Sequence, residues 1–264
     1  MSETNSSDLN QPEEVWVPPG GLELFRWPLP NLRLFDRILI RNLVRAARRY
    51  VVSVSGIEHV SQGHDPFVLA ANHATKPEAI YLPALLILLR RGHLVHFMGD
   101  WNFRLFPGIN LLYRRFGVIT VSHKPCPNRA LNRLKPLYAD PLGPFRRARK
   151  VLGEGRPIGI FPEGVVNRAD HLLSGHPGAA LLSLRSGAPV VPVGIIPVPD
   201  ANDRGRPGIA IRIGEPMDPR AAGHTTSTRA AIVEWHAVIM TRIAELSGRS
   251  WSPDAEDLPP SKTD

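Results

Sequence analysis

The side chains with the most chemistry to offer lie in the octet Ala71-Asn72-His73-Ala74-Thr75-Lys76-Pro77-Glu78. An apolar run up to Ala71 reads as a strand that delivers Asn72 and His73 at its carboxyl end. Pro77 suits the first turn of a following helix. Across so short a turn the Glu78 carboxylate can hold one nitrogen of the His73 imidazole, leaving the other to accept a proton. That pairing makes a general base. The same letters carry a second meaning, because Thr75-x-x-Glu78 spells a capping box in which the carboxylate binds backbone N–H groups and does no chemistry. Both readings remain open at this level.

A second group of residues, Phe161-Pro162-Glu163-Gly164, closes another apolar run, and Arg168 lies four residues beyond Gly164. Gly164 permits a tight turn, and the loop can offer N–H groups to an anion. Glu163 would repel a phosphate unless it orients a basic group or a substrate hydroxyl. A plain strand-ending turn accounts for the same residues. The third segment, Val190-Val191-Pro192-Val193-Gly194-Ile195, reads as core with a proline in its strand.

The elements that must position these groups alternate between strand-like and helix-like patterns. Strands are expected at 51–54, 66–71, 93–98, 117–121, 157–161, 190–195 and 209–213. Helices are expected at 77–91, 102–116 (interrupted near Pro107-Gly108), 144–152, 178–186 and 225–246. The alternation predicts an α/β fold, one domain with a central, mostly buried sheet flanked by helices. Loops at strand carboxyl ends are where such sheets bind ligands, which is where His73 and Glu163 fall. The organisation expected is an acidic, disordered tail over 1–24, a basic amphipathic helical segment over 25–50, the catalytic domain over 51–248 and a second disordered tail over 249–264.

Charge sharpens that division. The chain of 264 residues has a net charge of +8, yet residues 1–24 hold five carboxylates and no Lys or Arg. The basic body suits a polyanionic partner or an anionic surface. In residues 32–50, Arg33, Arg37, Arg41, Arg45 and Arg49 recur every fourth position beside Leu and Phe. That pattern fits an N-terminal amphipathic helix at a membrane interface, or an ordinary helix with its arginines in water. A single cysteine, Cys126, excludes an internal disulfide framework and any Cys-based zinc ribbon. No apolar run of 18 residues reads as a spanning helix. Neither a nucleophile elbow, a phosphate-binding P-loop nor a zincin helix appears, so no metal site is expected. Nucleic acid is not the expected partner, because the basic residues lack the interleaved aromatics and module signatures of such binders.

Taken in order, Asn72-His73 with a carboxylate five residues after the His, Phe161-Pro162-Glu163-Gly164, then Gly178-Ala179 and Val-Val-Pro-Val-Gly-Ile resemble the glycerolipid acyltransferase family, which includes the bacterial lysophosphatidate acyltransferases. The resemblance spans roughly residues 51–215. It implies a glycerol-3-phosphate acyltransferase-like fold with His73 as general base and Glu78 orienting it. Asn72, Glu163, Gly164 and Arg168 would fall at the acceptor-binding part of the site. It further implies transfer of a fatty acyl group from acyl-CoA or acyl-ACP, as co-substrate and with no cofactor, to a hydroxyl of a lysophospholipid or glycerol-phosphate-type acceptor. The expected setting is peripheral, on an anionic membrane at its cytoplasmic face. Three departures stand out. Glu78 replaces the family's usual Asp, Val165-Val166-Asn167 replaces Thr-Arg-Ser, and His123 falls where an Arg is usual. These losses bear on phosphate recognition, so a non-phosphate lipid alcohol or glycolipid is the alternative acceptor, and a non-catalytic lipid-binding protein on the same fold the alternative class.

Overall fold

The structure, a computed structural model, describes residues 15–122, 125, 126, 128–199, 205 and 207–253. Among these, seven strands form one sheet in the order β1-β7-β6-β2-β5-β3-β4. The strands are β1 (Val51–Ser55), β2 (Val68–Ala71), β3 (His96–Asp100), β4 (Ile119–Val121), β5 (Ile158–Ile160), β6 (Val190–Val198) and β7 (Gly208–Ile213). All neighbours run parallel except β6 and β7, which pair antiparallel. The helices are α1 (Gly21–Arg26), α2 (Leu34–Ala47), α3 (Glu78–Leu89), α4 (Pro107–Arg115), α5 (Lys135–Tyr138), α6 (Pro144–Gly153), α7 (Gly178–Ser186) and α8 (Arg229–Ser247). This is the single α/β domain expected.

The two-residue period of a strand divides the core into two layers. On β2, Leu69 and Ala71 join α2 and α3 in one cluster, whereas Val68 and Ala70 join α6, α7 and α8 in the other. Burial on both faces explains why β2 reads as a continuous apolar run rather than an alternating one. Helix α3 is almost wholly apolar for a related reason. It is covered on most sides, from Leu82 through Leu88. Helix α2 buries Asp36, Ile40, Val44 and Ala47, a stripe at helical spacing.

The expected boundaries need correction at both ends. Within the 1–24 segment, Trp16 exchanges two backbone hydrogen bonds with Val54, each 2.8 Å, and Leu24 of α1 is buried. Within 249–264, the Ser250 carbonyl accepts from Leu172 N–H at 2.8 Å, and Trp251 packs on the second core cluster. Composition pointed to tails, but a few large apolar side chains tie residues 15–24 and 249–253 to the body. Residues 1–14 and 254–264 lie outside the described residues. The basic helix is shorter than its arginine stripe, since Pro28 and Pro30 precede it and Arg33 serves as its N-cap. The 102–116 helix divides at Pro107 into a 3-10 turn over Trp101–Leu105 and α4.

One buried ion pair anchors the start of the catalytic strand. Arg90, just past α3, has a side chain only 1% exposed. Its Nη2 donates to both oxygens of Asp65 at 2.9 and 2.7 Å, and its guanidinium lies 5.3 Å from the Phe67 ring centre. Asp65→Ala leaves that cation buried without its partner, and is expected to cost about 3 kcal/mol in stability. Urea denaturation of the variant against the parent measures it.

Candidate active site

Because β2 and β5 are direct neighbours running the same way, their carboxyl ends lie side by side. Residues ninety positions apart therefore meet. The His73 N–H donates to Glu163 Oε1 at 2.9 Å, and the His73 carbonyl accepts from Asn167 N–H at 2.7 Å. The backbone of the histidine is thus clamped on both sides by the loop that follows β5.

The imidazole is held separately. Its Nδ1 lies 2.8 Å from Glu78 Oε1. An ionised carboxylate can only accept, so Nδ1 carries the proton and Nε2 presents its lone pair. Among the described residues no group hydrogen-bonds Nε2. One ring face stacks on Phe161, centroids 4.7 Å apart and planes 28° from parallel. Phe161 in turn packs on Phe97, which lies over Gly159, where a Cβ would come within 2.6 Å of the Phe97 ring. The side chain of His73 keeps 15% of its surface open. Chemically, this is an oriented imidazole with one ring nitrogen open, the arrangement that general-base chemistry needs.

Glu78 is fully buried and has donors on both oxygens. Oε1 accepts from His73 Nδ1 and from Thr75 N–H at 2.6 Å, while Oε2 accepts from the Thr75 hydroxyl. The carboxylate does bind a backbone N–H, as the capping reading expected, but the N-cap of α3 is Pro77 with no side-chain cap bond, so Glu78 ties the Thr75 loop and the imidazole together rather than closing a capping box. The Thr75 hydroxyl itself accepts from Tyr50 Oη at 2.6 Å. Burial pushes the Tyr50 hydroxyl above its ordinary range; the bond to Thr75 pulls it down, and the Glu78 charge pushes it up again. Tyr50 therefore stays a protonated donor. Tyr50 and Thr75 are the site residues that sequence reasoning missed. Thr75 entered it only as a cap, and nothing in the sequence links Tyr50 to the octet.

Three of the expected substrate-binding residues have other partners. Asn72 is buried and bonds both ways with Ile195 of β6, Nδ2 to its carbonyl at 3.0 Å and Oδ1 from its N–H at 2.6 Å. It prolongs the β2–β6 ladder by a side chain. Glu163 is buried too, and its second oxygen accepts from Asn167 Nδ2 at 2.7 Å and Leu173 N–H at 3.1 Å. Its carboxylate braces the loop rather than facing an acceptor. Gly164 has φ 63°, the left-handed turn that Gly was expected to permit, which closes onto the Phe161 carbonyl. Arg168 is exposed. His123 lies outside the described residues. Among the described residues no three His, Cys, Asp or Glu side chains cluster as metal ligands.

A buried sheet with a histidine–carboxylate pair at the carboxyl ends of its central strands is an α/β arrangement that can carry proton-transfer chemistry. The acyltransferase family model matches residues 51–196, more than half of the chain, and the chain belongs to that family. Its fold is similar to that of the 1-acyl-sn-glycerophosphate (LPA) acyltransferase PlsC from Thermotoga maritima, with a TM-score of 0.53 and 22% identity over 84% of this chain and 86% of that one.

Tyr50→Phe removes only the outermost donor of the chain to Glu78. Loss of about 1 kcal/mol of orientation lowers kcat about fivefold. KM is expected to stay within a factor of two, because Tyr50 touches the dyad's support rather than substrate. Steady-state acyl-transfer kinetics separate the two constants; a change in KM with kcat unaltered would count against positioning.

Proposed function

We propose that this acyltransferase moves a fatty acyl group from a thioester, acyl-CoA or acyl-ACP, to a hydroxyl of a lysophospholipid or glycerol-phosphate-type acceptor. The observation that carries the reading is the His73–Glu78 contact at 2.8 Å with Nε2 left free of protein partners. Family membership and the likeness of fold support it. The acceptor O–H gives its proton to Nε2 as its oxygen bonds to the thioester carbonyl carbon. The C–S bond then breaks, and the sulfur leaves with the proton returned by His73. Glu78, buried against the ring, favours the imidazolium formed between the two steps. No acyl-enzyme is required.

A glycolipid or other lipid alcohol is the second reading for the acceptor. It is favoured by the loop after Glu163, where Val165 and Val166 offer no charge and Asn167 is committed to Glu163 and the His171 carbonyl.

Association with an anionic membrane surface belongs to the same proposal. Among the described residues no helix is long and apolar enough to cross a membrane. Leu22 and Phe25 of α1, and Leu34, Phe35 and Ile38 of α2, are exposed apolar side chains on adjoining elements. A basic, apolar face of this kind suits the lipid headgroup boundary. The arginines are less available than their stripe suggested. Arg37 Nε donates to the Leu32 carbonyl at 2.8 Å, and Arg41 Nη2 to that of Trp27 at 3.2 Å.

His73→Ala deletes the base and is expected to lower kcat by roughly 10²–10⁴, with the melting temperature little changed. Purified variant and parent, assayed with labelled acyl-CoA and acyl-ACP against a panel of lipid alcohols, test the chemistry and identify the acceptor class together. Near-parental turnover would overturn the assignment. For the surface, replacing Leu34, Phe35 and Ile38 by Ser should reduce co-sedimentation with anionic vesicles while leaving Arg37 and Arg41 in their structural contacts. Unchanged partitioning would mean that this face does not meet lipid.

A further inference from the structure

At the end of the sheet opposite the dyad, a recessed cleft of about 420 Å³ opens along the edge strand β4. His96 begins β3, Gly117 and Val118 lead into β4, and Arg156 lies two residues before β5. These three strands run parallel, so the lining residues mark their amino ends. His73 and Glu163 follow the carboxyl ends of β2 and β5, and neither lines the cleft. Arg156 stands five residues before Phe161, the ring stacked on His73, which is about 16 Å of extended chain. The cleft is therefore no part of the acyl-transfer site.

Five cations, Arg104, Arg114, Arg147, Lys150 and Arg156, line it beside two carboxylates, Asp140 and Glu154. A solvated basic surface would leave its arginines on loose stems, whereas three of these are fixed by separate anchors. Arg104 donates through Nε to Asn110 Oδ1 at 3.0 Å and through Nη1 to Thr120 Oγ1 at 3.2 Å, with its guanidinium 5.0 Å from the Tyr138 ring centre. Arg147 donates through Nε to Asp140 Oδ2 at 2.7 Å. Arg156 donates through Nη1 to His96 Nε2 at 3.2 Å and through Nη2 to Glu154. His96 can accept there because its Nδ1–H is spent on the Gly117 carbonyl at 2.9 Å. Burial holds that imidazole below its ordinary range, and the Arg156 charge adds to this although the Gly117 bond pulls the other way. With His96 neutral, the lining carries an excess of three positive charges. The bond from Arg156, and then the charges of Arg156, Lys150 and Arg147, hold the Glu154 carboxyl below its ordinary range against burial, so these cations act on one point. Arg114 and Lys150 are exposed and form no ion pair among the described residues.

Guanidinium groups held in place lose little freedom on binding, and their forked donors match phosphate oxygens. We infer that this cleft is a second ligand site, which takes a small anion bearing two phosphate groups. One phosphate brings a charge of about −1.5 to −2 near neutral pH, so the excess of three positive charges calls for two. The volume, about 420 Å³, falls in the range of small-molecule clefts. Paired phosphates occur on soluble molecules and on lipid headgroups, and both present the same oxygens to the arginines. Nothing in this binding draws on the acyl-transfer reaction.

Titration calorimetry of the full chain at about 0.15 M salt, where loose surface charges are screened beyond about 8 Å, compares inorganic pyrophosphate with inorganic phosphate. Pyrophosphate is expected to bind saturably and about tenfold more tightly than phosphate. The double variant Arg114→Gln/Lys150→Gln alters only exposed side chains. It should weaken pyrophosphate binding about tenfold, with melting temperature and acyl transfer unchanged. Arg33 lines a neighbouring notch beside α4 that shares Arg114 with the cleft. Arg33→Gln should bind pyrophosphate like the parent, as should His73→Ala. Co-sedimentation with phosphatidylcholine vesicles containing phosphatidylinositol 4,5-bisphosphate supplies the lipid arm. Pyrophosphate binding that the double variant weakens supports the site with a soluble ligand. Vesicle binding that it weakens, without pyrophosphate binding, supports the site with a lipid headgroup. Absence of both, equal binding by the double variant, pyrophosphate bound no more tightly than phosphate, or loss of binding in Arg33→Gln would each overturn the inference.

Discussion

A carboxylate shut away from water must have its charge met by donors, because burying it unpaired costs far more than any packing returns. Glu78 and Glu163 are both in that position, 0% and 4% exposed, and the site is the geometry of how they are satisfied. Glu78 gathers the Thr75 N–H, the Thr75 hydroxyl and the His73 ring. Glu163 gathers the backbone N–H of the same histidine together with Asn167 and Leu173. One carboxylate aims the imidazole and the other fixes the main chain that carries it. With Phe161 against one face, little rotational freedom remains to the ring.

This division of labour gives a physical account of the longer acid at position 78. An extra methylene could let the carboxylate wander, but Thr75 holds both of its oxygens, and Tyr50 orients the Thr75 hydroxyl from the residue preceding β1. A chain of hydrogen bonds in a dry setting strengthens each of its members. Tyr50 also lies three residues beyond the end of α2, whose Leu34, Phe35 and Ile38 face outward. The proposed membrane face and the base are thereby joined through a short stretch of backbone and three side-chain contacts.

Arginine plays several parts in this chain that its abundance conceals. Arg90 is a buried structural cation, and Arg37 and Arg41 close off backbone carbonyls near α2. Arg115 pairs with Asp36 at 3.4 Å and lies over Phe35. Arg104, Arg114, Arg147 and Arg156 line a cleft along β4, and Arg33, Arg114 and Arg115 line another beside α4. Net charge therefore says that a polyanion is attractive, but partner by partner accounting says where one could sit.

The sequence by itself determined the order and kind of most elements: the apolar runs that became β2, β5 and β6, the helix 178–186 at its observed limits, and the placing of His73 and Glu163 at strand ends. These follow from local rules, periodicity and turn chemistry, which are written in neighbouring letters. It offered the pairing of His73 with Glu78 across one short turn beside a capping reading of the same letters, and the family resemblance implied the pairing. What only the tertiary structure decided depended on distant partners. Asn72 and Glu163 looked like ligands for substrate, yet burial committed them to Ile195, to the His73 backbone and to Asn167. Tyr50 joined the site because β1 and α2 carry it to Thr75, and Arg104, Arg114, Arg147 and Arg156, which line one cleft along β4, come from four separate segments of the chain. Trp16 and Trp251 drew segments of tail-like composition onto the body. A polar side chain's role is set by which donors and acceptors the folded chain brings to it, and that information is held in the sheet order rather than in the spacing of residues.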